Sequence, residues 1–124
     1  MNSKVVLVLR IVFGLALLFF GANKLFGFMD PPPPPEAAMG YWGALGASKT
    51  LMLVGVVEVL AALSLLLNKY GALMMLILMS VSVNAVLYHA TLDPDGIPMG
   101  AALLVLNVVM LYAFKDKYKD LLNG

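Results

Sequence analysis

The chain has 124 residues, 62% of them hydrophobic and 12% charged, with a formal net charge of +1 and no cysteine. Soluble domains carry roughly half apolar and about a quarter charged residues, so a water-exposed globule of this composition would have more apolar surface than it could hide. The missing cysteine excludes disulfides, thiolate metal sites and dithiol relays within the chain, and the alternation of lysines with acids in KDKYKD argues against a nucleic-acid partner.

The apolar residues gather into four runs, 4–26, 50–67, 71–90 and 97–114. A bilayer core about 30 Å thick takes roughly 20 helical residues to cross. The sequence therefore predicts an all-α, four-transmembrane-helix bundle as a single membrane domain over residues 1–124. The first run has the layout of a secretory leader, Lys4 and Arg10 ahead of IVFGLALLFFG. A cleavage site needs small residues where Phe19 and Phe20 stand, so a retained helix is expected. Within this run Arg10, Gly14, Leu17, Gly21 and Lys24 recur at spacings of four and three, which keeps them in one narrow wedge. Small residues in that wedge allow close approach of another helix.

The proline-rich loop 27–49, expected on the outer side, contains five consecutive prolines, 31–35, which predict a polyproline II rod of roughly 15 Å. A short interfacial helix is predicted over 36–45, with Pro35 at its first position, Glu36 in its first turn, and Tyr41 and Trp42 as interfacial anchors. The segment reads either as a surface loop held by these two aromatics or as a lid over a site between the helices. Ser48 is the expected cap of the next helix.

In the second run, GVVEVLAALSLLL, Glu58 shares a helix face with Gly55, Ala61 and Ala62. Asn68 and Lys69 predict a tight turn into the third run. There Met74, Met75 and Met79 serve adaptable packing or lipid contact, and Ser80, Asn84, Tyr88 and Thr91 form the expected interior face, with His89 beside it. DPDG at 93–96 is a strong turn, and the fourth run presents Gly100 and Asn107. Lys4, Lys69, Lys115, Lys117 and Lys119 fall on the side of the termini, against Lys24 and Lys49 on the other. This bias predicts cytoplasmic N and C termini.

A charge at the centre of a membrane helix costs about 2.5 kcal/mol or more, so Glu58 requires a partner. Counting 1.5 Å per residue from Lys4, Phe114 and Leu67 puts Arg10, Asn107 and Glu58 roughly 9, 10 and 13 Å deep. The expectation is a buried pair of Arg10 with Glu58, completed by Asn107. Its role stays open between fixing helix register and serving function, with a neutral glutamate relaying protons as a variant, and Arg10 has the alternative of snorkelling to the headgroups. A second polar cluster, Lys24, Asn84, Tyr88 and His89, collects at the outer mouth. Asn84 and Tyr88, four residues apart, either hydrogen-bond between helices or bind a quinone-like headgroup. A lone histidine without cysteine partners makes neither a zinc site nor a bis-histidine haem site, so no metal is expected.

RIVFGLALLFFGANKLFGF, with Arg10, Gly21, Lys24 and Leu25, resembles the first helix of DoxX-like proteins, and VGVVEVLAALSLLLNKYGALMMLILMSVSVNAVLYH resembles their second and third helices. The resemblance implies a small inner-membrane protein of bacterial type. The family takes its name from a subunit of a thiosulfate to quinone oxidoreductase, and relatives are described as membrane partners in oxidoreductase assemblies. It thus implies an accessory or docking subunit of a redox system rather than a stand-alone enzyme, with quinone as the candidate cofactor and the bilayer, oxidoreductase subunits or a second copy as partners. The cysteine-free chain and the proline-rich first loop depart from relatives that use thiols. A proton-coupled carrier and a purely structural scaffold are the rival readings.

Overall fold

The computed structural model describes residues 1–30 and 32–123. Six helices follow in chain order: α1 (Ser3–Phe26), α2 (Met39–Ala47), α3 (Thr50–Leu67), α4 (Gly71–Leu92), α5 (Ile97–Ala113) and α6 (Lys119–Leu122), with single 3-10 turns at Glu36–Ala38, Pro94–Gly96 and Lys115–Tyr118. Among the described residues there is no strand. Among the described residues four helical stretches, α1, α3, α4 and α5 together with the 3-10 turn that leads into it, are long and apolar enough to cross a membrane. Their outward faces carry Val8, Val12, Leu53, Leu63, Leu87 and Val105, all exposed, an arrangement that suits lipid and not water. The protein is an integral membrane four-helix bundle.

Local chemistry sets the helix ends. Asn2 caps α1 by accepting the Lys4 N–H at 2.7 Å. Gly27 ends it in the left-handed region at φ 63, returning its N–H to Asn23 O at 2.8 Å. At the α3–α4 turn Asn68 and Tyr70 both take positive φ, and Lys69 N–H closes on Ser64 O. α4 runs two residues beyond the span read from the sequence, to Leu92. Pro35 stands just before the Glu36–Ala38 turn rather than at a first helical position, and the helix that follows reaches Ala47. Of the polyproline run, Pro31 lies outside the described residues. Ser48 acts from one position early: Lys49 occupies the N-cap of α3 with φ 64, and Ser48 Oγ accepts the Thr50 N–H at 3.4 Å.

The bundle is assembled mainly from two antiparallel pairs, α1 with α3 and α4 with α5, joined through α3 and α4, while α1 and α5 make the lightest contact of the neighbouring spans. Small residues make the first pair close. A Cβ on Gly21 would lie 3.0 Å from Gly55 O, and one on Gly14 would lie 2.9 Å from Leu66 Cγ. Glycine here permits the backbone approach on which membrane helices rely in place of a hydrophobic driving force. The core, toward the end where α1 begins, holds Phe13, Leu17, Leu65, Met75, Leu78 and Met110. At that end Tyr118 donates its hydroxyl to Ala72 O at 2.7 Å, and burial raises its phenol above the usual value, keeping it a donor.

Asn107 and Ser82 are fully buried within this core. Ser82 Oγ donates to Asn107 Oδ1 at 2.7 Å, and Asn107 Nδ2 donates to Met75 O at 3.0 Å. Asn107→Leu strands the Ser82 hydroxyl, and the expected cost is about 1 kcal/mol, to be read from denaturant unfolding of the purified protein. The double change with Ser82→Ala recovers part of that loss. A double variant as unstable as the single one would show that the pair is not the source of the cost.

Candidate functional site

The glutamate inside α3 is paired, but not with the expected partner. Glu58 is 3% exposed, and its Oε1 meets Lys24 Nζ at 2.7 Å. The expectation of a buried Arg10, Glu58 and Asn107 cluster is corrected. Arg10 Nε donates to Leu65 O at 2.9 Å, and Asn107 serves Ser82 and Met75. The reason is direction. Side chains on a helix lean toward its N-terminus, and α1 and α3 are antiparallel, so Arg10 leans toward the end where α1 begins while Glu58 leans the opposite way. Lys24, near the far end of α1, leans inward and meets it. Arg10 instead reaches the last turn of α3, where carbonyls lack helical partners, and caps one of them with a cation.

Among the described residues the Lys24 ammonium is the one group placed against this buried atom. One such contact leaves the ammonium able to take further partners. Lys24 brings three donors to the site, and its side chain is 26% exposed.

Around this pair lie the other residues of the outer-mouth cluster. His89 Nδ1 is 3.2 Å from Asp93 O and 3.5 Å from Asp93 Oδ2. Both are acceptors, so Nδ1 is placed to donate to Asp93. Room for the ring depends on glycine: a Cβ on Gly96 would overlap His89, and one on Gly100 would stand 2.9 Å from His89 Cδ2. Tyr88 is buried; its hydroxyl accepts Trp42 Nε1–H at 2.7 Å and its ring stacks on Tyr41 with centroids 4.9 Å apart. The two aromatics expected as headgroup anchors therefore dock α2 onto α4. Asn84 is the outlier: it is exposed and returns its Nδ2–H to Ser80 O at 2.7 Å. Ser80 and Thr91 bond back to their own helix in the same way, so the expected interior face of α4 is corrected. Its buried residues are Met74, Met75, Leu78, Ser82 and, alone of the expected face, Tyr88, and the Ser80–Asn84 side lines the cavity under α2.

Two cavities meet at the ion pair. One, of about 290 Å³, lies between α1 and α5; the other, of about 480 Å³, lies beneath α2 between α3 and α4. Lys24, Glu58, Ala85, His89 and Leu103 line both. Among the described residues no three His, Asp or Glu side chains lie close enough to hold a metal ion. The geometry offers a buried charge pair, an imidazole and a phenol at the edge of apolar space, a combination suited to a small molecule with polar atoms at one end.

Sequence reasoning singled out Lys24, Glu58, Tyr88 and His89 yet missed the pairing, the cavity-lining Ala85 and Leu103, Ser82, and the role of Asp93 in orienting His89. The period of Met75, Leu78 and Ser82 is the signal that could have placed Ser82 on the core face. Neither the curated proteins nor the solved structures contain a significant match to this chain. The model of one protein family, DoxX, does match, over residues 5–91, from the start of α1 through nearly all of α4 and including Lys24, Glu58, Tyr88 and His89. The chain belongs to the DoxX family.

Proposed function

We propose that this protein is an accessory or docking subunit of a membrane redox system that holds a quinone or similar lipophilic carbonyl compound between its helices. The observation that carries this reading is the Lys24–Glu58 pair at the junction of two largely apolar cavities. A cation that is only partly engaged suits a carbonyl oxygen, and the Tyr88 hydroxyl, which accepts from Trp42, keeps its own hydrogen to donate. The proposed setting is a bacterial inner membrane with both termini cytoplasmic, supported by the lysines at 4, 69, 115, 117 and 119. A carrier is less favoured, because transporters place their sites at broken helices and α1, α3, α4 and α5 each run as one continuous helix.

Native mass spectrometry of the protein, extracted gently from its own membrane and followed by solvent extraction, tests the reading. The expected result is one bound lipophilic molecule per chain, lost on Lys24→Met or Glu58→Gln and retained on Arg10→Gln. A ligand-free protein of defined oligomeric state would reduce the pair to a structural device and favour the scaffold.

A further inference from the structure

How a ligand would be divided across the ion pair can be worked out from the linings, given the binding-site reading above. Beyond the shared residues, the cavity between α1 and α5 is lined by apolar residues alone, including Phe13, Leu17, Phe20, Met99 and Leu106. The cavity beneath α2 adds Tyr88, Asn84, Ser80 and Thr50. Small-molecule sites usually measure about 300–1,000 Å³; the smaller cavity, at about 290 Å³, falls just short of that range, and the two joined lie within it. Glu58 is buried, its Oε1 in contact with the Lys24 ammonium, and it lines both spaces.

We infer that the two cavities are halves of one site for a single-tailed amphiphile. The head, carrying carbonyl or similar acceptor oxygens, lies beneath α2 against the Tyr88 hydroxyl and the Lys24 ammonium. The tail passes Glu58 and His89 and lies between α1 and α5. Of the four pairs of neighbouring spans, α1 and α5 make the lightest contact, so the tail end opens laterally to the bilayer and the ligand is loaded from lipid. α2, pinned through Trp42 and Tyr41 to Tyr88, closes the head from the other side.

The chain's single tryptophan, Trp42, lines the head cavity and supplies the readout. In proteoliposomes, its fluorescence is titrated with a benzoquinone bearing a decyl tail and with the same benzoquinone without a tail. Ala102, on the α5 wall of the tail cavity, is exposed, so a larger side chain there does not disturb the core. Saturable quenching by both probes is expected. Ala102→Phe should weaken the tailed probe about tenfold, equivalent to two methylenes losing their burial, and leave the tail-less probe unchanged. Ala16→Leu, on the α1 wall of the same cavity, should do the same, and serves as the test if the first variant does not fold. Saturable quenching with both probes weakened equally, or neither weakened, overturns the divided site and leaves the binding-site reading standing. Loss of saturable quenching by both probes in the unaltered protein overturns both.

Discussion

Lys24→Met is expected to destabilise the protein by about 3 kcal/mol, whereas Glu58→Gln should cost only about 1 kcal/mol. The asymmetry comes from position. Lys24 lies within one turn of the end of α1, and without its partner the long side chain can swing its ammonium out to the headgroups. Glu58 lies mid-helix, is 3% exposed, and among the described residues has no ion-pair partner but Lys24. Removing Lys24 therefore leaves a carboxylate in apolar surroundings, the costly way to break a buried pair. The double variant Lys24→Met with Glu58→Met should return to within about 1 kcal/mol of the parent, because replacing both charges removes the desolvation cost along with the attraction. Unfolding by sodium dodecyl sulfate, followed by circular dichroism, measures all three. Equal costs for the two single changes, or a double variant no better than Lys24→Met alone, would sink this account of the pair.

The second large effect concerns the α1–α3 crossing. A Cβ on Gly21 would meet Glu58 Cβ at 2.9 Å, Gly55 O at 3.0 Å and Val59 Cγ2 at 3.0 Å. Backbone cannot yield as the end of a flexible side chain can. Gly21→Leu should force the helices apart and cost about 3 kcal/mol, the upper part of the usual overpacking range. Because the pair spans the same crossing, it should also separate Lys24 from Glu58 and abolish any ligand that depends on them. Gly43→Ala in α2 is the contrast: nothing lies within 4 Å of its would-be Cβ. That change should be neutral or stabilise by about 0.5 kcal/mol, through lower chain entropy in the unfolded state. Thermal denaturation read by size-exclusion chromatography compares them. Gly21→Leu within 0.5 kcal/mol of the parent would mean that the close crossing does not hold the bundle together.

The polar residues of the membrane spans divide by what the surrounding elements do with them. Arg10 finishes a helix end, Asn107 and Ser82 tie α5 to α4, and Lys24, Glu58 and His89 border both cavities. One class of residue thus serves capping, packing and the candidate site, and burial alone does not separate these roles. The separating feature is unspent hydrogen-bonding capacity. Asn107 uses its Nδ2 and its Oδ1 inside the core, whereas the Lys24 ammonium that meets Glu58 is partly exposed and has further N–H groups to offer.

What the sequence determined by itself is everything that depends on composition and period. The length of the apolar runs sets four spans, because the bilayer thickness is a fixed ruler. The spacing of Gly14, Leu17 and Gly21, and of Gly55, Glu58, Ala61 and Ala62, marks the buried faces of α1 and α3, because the helix period is fixed as well. Partner choice across helices was decided only by the tertiary structure. Depth counted along each helix put Arg10 level with Glu58, but depth is a scalar, and pairing depends on the direction in which antiparallel side chains lean. The same limit applied to α4, where two polar faces were available and only packing against α5 turned Ser82 inward and left Ser80 and Asn84 toward α2. It applied again to Tyr41 and Trp42, whose type suits either a headgroup layer or a protein surface; the position of Tyr88 directed them inward.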